Sequence, residues 1–93
     1  MKLVYDNEAD ALAISLADGI VNRTVEVDSG TLVDVDVGGR VLSIEVIQPA
    51  RRWPLDRVLD RFPIAPSDAA MLRGIWAGDE TLELSEPAPL AIA

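Results

Sequence analysis

From Leu3 to Ile47 apolar side chains recur at every second position in short runs, which is the period of a half-buried strand and not the 3.6-residue period of a helix. Leu12, Ile14 and Leu16 alternate with small residues, and Val25 and Val27 alternate with Thr24, Glu26 and Asp28. Val33, Val35 and Val37 alternate with Leu32, Asp34 and Asp36, and Leu42, Ile44 and Val46 with Val41, Ser43 and Glu45. Asp18-Gly19, Asp28-Ser29-Gly30 and Gly38-Gly39 separate the runs. These residue types turn a chain because glycine reaches positive φ freely and aspartate bonds its own backbone. With a first strand over Lys2 to Asp6, residues 1–48 are expected to form an antiparallel meander of about five strands.

Pairing follows from which register unites the oily faces. A two-residue turn at Gly38-Gly39 sets Val35 opposite Leu42 and Val33 opposite Ile44. The same turn at Ser29-Gly30 would set Glu26 against Val33, so a three-residue turn with a left-handed Gly30 is expected there, with Val25 opposite Val33 and Val27 opposite Thr31. In this register Leu32, Val41 and Ile47 fall on the far face and, with Ala11 and Ala13, leave an apolar strip. Such a strip is expected to be a homodimer contact, with the sheet's edge strands as a second route and Leu82, Leu84, Leu90 and Ile92 as an alternative cover within one chain.

After Ile47 the pattern changes. Leu55, Val58, Leu59 and Phe62 follow helical spacing between Pro54, which suits a first turn, and Pro63, which ends it. Ser67 is placed to cap a second helix with Met71, Leu72, Ile75 and Trp76 on one face and Gly78 near its end. The alternation of Leu82 and Leu84 with Thr81, Glu83 and Ser85 allows a short sixth strand, and Pro87 and Pro89 extend the tail. The expected fold is α+β: one domain over residues 1–93, an antiparallel meander (1–48) packed by two short α-helices of a C-terminal extension (49–93).

Composition limits the chemistry. The 93 residues contain no histidine and no cysteine, which removes disulfides, thiolate zinc sites, cysteine nucleophiles and the usual neutral-pH base. A net charge of -8 opposes nonspecific duplex binding. The apolar stretch before Asp6 is too short for a signal peptide, and no run reaches a membrane span's length, so the cytoplasm is the expected location.

The run Tyr5-Asp6-Asn7-Glu8-Ala9-Asp10-Ala11-Leu12-Ala13-Ile14-Ser15-Leu16 resembles the opening of a small prokaryotic family, domain of unknown function 2283. Gly30 to Asp36 and Gly39 to Ile47 fit as well, so the resemblance covers roughly residues 3–50. Ala13 departs from it, since the family often carries an aromatic there. The resemblance implies a compact antiparallel sheet, no established activity and an association with toxin-antitoxin-like gene pairs.

Three clusters invite functional readings. Asp6, Glu8 and Asp10 are oxygen donors of the kind calcium or magnesium takes, against the simpler reading that they serve a turn. Asp34, Asp36 and Glu45 have the carboxylate chemistry of an acid and base pair, against a plain solvated face. Arg51, Arg52, Arg57 and Arg61 beside Trp53 form the chain's one basic and aromatic concentration. That combination suits a protein partner first and nucleic acid second, and its simpler role is to balance the acidic sheet while Trp53 fills the core. The function expected from these is a non-enzymatic interaction module, such as the antitoxin-like or accessory half of a two-gene unit, with no cofactor. A carboxylate metal-binding protein or minor enzyme is the alternative.

Overall fold

The computed structural model describes residues 1–76; the sixth strand and tail expected beyond them lie outside the described residues. Strands β1 (Lys2–Asp6), β2 (Ala11–Ser15), β3 (Arg23–Asp28), β4 (Thr31–Val35) and β5 (Val41–Ile47) are followed by helices α1 (Leu55–Arg61) and α2 (Pro66–Trp76). The α+β class and the antiparallel sheet are as the alternation dictates.

The order within the sheet is β1-β2-β5-β4-β3, so the chain is not a strictly sequential meander. Strands β3, β4 and β5 do follow one another by hairpins, but β5 returns beside β2 and gives a Greek-key arrangement. Its composition explains the placement. Val41, Leu42, Ile44 and Val46 are all buried, and a strand this apolar gains most with a neighbour on each side. Residues 16–22 carry the chain past β5 and β4 to reach the far edge. That passage is fixed by the amides of Leu16 and Ala17, which both donate to the Leu42 carbonyl (2.8 and 3.2 Å), and by Asn22 N–H to the Val35 carbonyl (2.8 Å).

The core face follows the pairing row by row: Leu3, Ile14, Ile44, Val33 and Val25 align across the five strands, and Tyr5, Leu12, Val46 and Thr31 across four of them. Against it pack Trp53, Leu55, Val58 and Leu72, none more than 1% exposed. Each such side chain removed from water stabilises the fold by about 1.5–3 kcal/mol. Helix α1 begins after Pro54 and ends at Phe62, which donates its amide to the Val58 carbonyl. In α2 the first turn starts two residues early: Ala69 N–H donates to the Ala65 carbonyl, so Ser67 lies inside the helix and not at its cap. Leu72 is buried and Ile75 and Trp76 are partly covered, whereas Met71 faces water at 54% exposure.

Both turns differ from expectation, and the differences are linked to bulges. Around Ser29-Gly30 the strands close through Asp28 opposite Thr31, and the extra residue is absorbed by a bulge between Glu26 and Asp28, while Val25 still faces Val33. Gly30 therefore has no left-handed φ. Gly39 has φ +88 instead. There the turn holds three residues, Val37 to Gly39, between Asp36 and Arg40, because the Asp36 carboxylate accepts the Gly38 and Arg40 amides at 2.9 and 2.8 Å and draws the wider loop around itself. The compensating bulge sets Val35 opposite Val41 and leaves Leu42 without the expected partner. One residue of slip changes the face, so Val41 enters the core cluster. Val41 is thereby removed from the far-face strip expected of Leu32, Val41 and Ile47.

Candidate functional site

Each expected cluster has an internal occupation. Asp6 Oδ1 accepts the amides of Glu8 and Ala9 (3.0 and 3.2 Å) and shapes the β1–β2 turn, while Asp10, itself at φ 50, accepts the Tyr5 hydroxyl at 2.5 Å. That bond and, secondarily, partial burial and the nearby negative charges push the Tyr5 phenol above its usual value. Glu8 is exposed. Among the described residues no three carboxylates converge in a way that could hold a metal ion.

Asp34 lies on the far face, where Thr24 Oγ1 donates to one oxygen (2.5 Å) and Ser43 Oγ to the other (2.9 Å). Asp36 serves its own turn. Glu45 faces Leu32 and Ala13 across its neighbours, and Leu32 faces Glu26 on its other side. The row therefore reads Glu26, Leu32, Glu45, Ala13, Val4. Leu32 and Ile47 are half-buried, and carboxylates interrupt what the sequence suggested as an oily strip.

The arginine cluster separates into distinct roles. Arg51 reaches back to the sheet: Nε donates to the Ile47 carbonyl (2.9 Å), Nη1 to Asp28 Oδ2 (3.0 Å), and Nη2 to Asp28 Oδ1 (3.3 Å) and Thr31 Oγ1 (2.8 Å). Burial alone would raise the Asp28 carboxyl. Against it, the bonds from Arg51, the Gly30 amide and the Thr31 hydroxyl, with the guanidinium's charge, hold the group at about 2. Gly30 is glycine for this reason: a Cβ there would sit 2.6 Å from Arg51 Nη2. Trp53 is 1% exposed, and its carbonyl accepts the Trp76 indole N–H. Arg52 stacks 4.3 Å from the Trp76 ring and Arg61 5.5 Å from Phe62. Arg57 Nη1 approaches the Val27 carbonyl at 3.5 Å. The structure brings Arg51 and Trp53 into the fold's interior bonding and leaves Arg52, Arg57 and Arg61 exposed.

The sequence offers the sheet's edges only as a second contact route, and the structure singles out β1 among them. Among the described residues it is the outermost strand on one side, all five of its residues are exposed, and Leu3, Val4 and Tyr5 keep 48, 52 and 41% of their surface. Leu3 and Tyr5 continue the core rows, but they stand outside the buried cluster that gathers around Trp53, Leu55, Val58 and Leu72. The opposite edge, β3, is differently made: it carries Arg23, Glu26 and Asp28, and Arg57 leans on its Val27 carbonyl. Charges of this kind discourage strand addition. Ile20, Val21 and Val37 are exposed apolar residues too, but they lie in the crossover segment and the β4–β5 turn and not within a strand.

Among the described residues no helix is long and apolar enough to cross a membrane. A family model described as protein of unknown function (DUF2283) matches residues 2–48, the span that holds all five strands. No curated protein and no solved structure matches the chain.

Proposed function

The chain belongs to the DUF2283 family of proteins of unknown function, and from that premise we propose that it is a non-enzymatic protein-interaction module whose contact element is the edge strand β1. The observation that carries this reading is the exposure of Leu3, Val4 and Tyr5 on a terminal strand. An outer strand turns every second N–H and C=O away from its sheet, and an added strand satisfies them while burying the side chains on both faces. The occupations of Arg51, Trp53, Asp6, Asp10 and Asp34 within the fold favour this surface over the clusters they belong to. The non-enzymatic character rests on the chemistry of a chain without histidine or cysteine.

The test is affinity purification from the native host with wild-type protein and a Val4→Lys variant as parallel baits, together with sizing of each. Association through β1 is lost in the variant. Association that survives Val4→Lys unchanged refutes the assignment of β1.

A further inference from the structure

We propose that the strand added to β1 is β1 of a second copy of this chain, in antiparallel register about a twofold axis at Val4. The inference rests on the reading of β1 as the contact element and names its occupant. The sequence Lys2-Leu3-Val4-Tyr5-Asp6 is complementary to itself when reversed. With Val4 opposite Val4 of the second copy, Leu3 meets Tyr5, and Lys2 meets Asp6, each pairing occurring twice. Opposite charges directly across an antiparallel pair stabilise it, as do aromatic and aliphatic neighbours.

The faces agree with this register. Val4, Lys2 and Asp6 share the far face, so the apolar pair at the axis is flanked by an ammonium and a carboxylate on each side. Leu3 and Tyr5 share the core face, where they extend the rows Leu3-Ile14-Ile44 and Tyr5-Leu12-Val46. Two copies joined this way continue those rows through Leu3 and Tyr5 of the second chain, so that both side chains gain apolar neighbours on the side away from β2. Asp6 remains able to pair with lysine, since its turn-forming bonds from Glu8 and Ala9 both use Oδ1. The twofold arrangement closes on itself and consumes the β1 edge of both copies, leaving the charged β3 edges outermost, so assembly stops at two. Other registers of the same strands bring Lys2 or Asp6 opposite an apolar residue and lose the charge match.

The experiment uses the full chain, whose lack of cysteine makes a single introduced thiol a clean reporter. Light scattering at micromolar concentration and moderate salt should give twice the 10.0 kDa of one chain. Val4→Lys, at a position already half exposed, should return the mass to that of one chain while leaving the circular dichroism spectrum unchanged. Lys2→Glu sets like charges together twice and should weaken the dimer about tenfold. Under mild oxidation Val4→Cys should form a covalent dimer, because facing residues of an antiparallel pair lie about 4.5–5.5 Å apart at Cα, within disulfide reach. Val37→Cys, 88% exposed in a distant turn, should not. A mass of one chain for the wild type with no Val4→Cys crosslink overturns the dimer. If another protein is then still captured in a Val4-dependent way, the edge reading stands and only its occupant is wrong. Preferential crosslinking through Val37→Cys overturns the dimer interface and moves it to the other end of the sheet.

Discussion

Replacing Gly30 by alanine should destabilise the wild type but not a variant that lacks the Arg51 guanidinium, and the size of that difference can be worked from the contacts. The new Cβ would lie 2.6 Å from Nη2, 3.2 Å from Cζ and 3.3 Å from Nε of Arg51. Carbon packs at about 3.5–4 Å, so the guanidinium must retreat by about 1 Å. That retreat breaks the bonds Nη2 makes to Thr31 and Asp28. Thr31 is fully buried, and losing its partner costs about 1 kcal/mol. The depression of Asp28 from 3.8 to about 2 would correspond to about 2 kcal/mol, but with roughly a quarter of each side chain's surface in water screening reduces it to about 1 kcal/mol.

Arg51→Met, which keeps the stem and loses the charge, should therefore cost about 2 kcal/mol. Gly30→Ala should cost about 0.5–1 kcal/mol net, because alanine also restricts the unfolded chain by about 0.4–1 kcal/mol in its favour at a site without positive φ. In the Arg51→Met background the steric term is gone and Gly30→Ala should stabilise by about 0.5 kcal/mol. Urea unfolding followed by the fluorescence of buried Trp53, at one fixed protein concentration, measures all four proteins. The coupling expected is about 1–1.5 kcal/mol. Equal costs of Gly30→Ala in the two backgrounds would show that the glycine serves the turn backbone and not the seat of the Arg51 guanidinium.

Two further outcomes follow from the same structure. Asp28 is held below its unfolded value, so its contribution is complete above pH 3.8 and is lost as pH falls toward about 2. Comparing acid titrations of stability for wild type and Asp28→Asn should reveal a component of about 1 kcal/mol in that window; identical acid slopes would contradict it. Trp53→Ala should cost about 3–5 kcal/mol in thermal or urea unfolding, since the side chain is 1% exposed between sheet and helices. A loss under about 1 kcal/mol would mean the helices do not seal the core as described.

Period-two strands between Lys2 and Ile47, two helices between Pro54 and Trp76, and most of the core were legible in the order of the residues alone. These are local properties, fixed by side-chain periodicity, by proline's missing N–H and by the turn residues between runs. The sequence also excluded cysteine and histidine chemistry outright. Tertiary structure decided the rest. The position of β5 between β2 and β4 depends on the summed burial of a whole strand, which no single hairpin reports. The bulges that moved Val41 into the core and the left-handed site from Gly30 to Gly39 arise where turn side chains such as Asp36 compete with the ladder for backbone amides. Arg51 looked like surface charge because its partners Asp28, Thr31 and Ile47 are distant or only incidental in sequence. The exposure of Leu3 and Tyr5 was equally hidden, since they carry the same alternation as buried strands and only their place at the end of the sheet, outside the cluster around Trp53, leaves them in water.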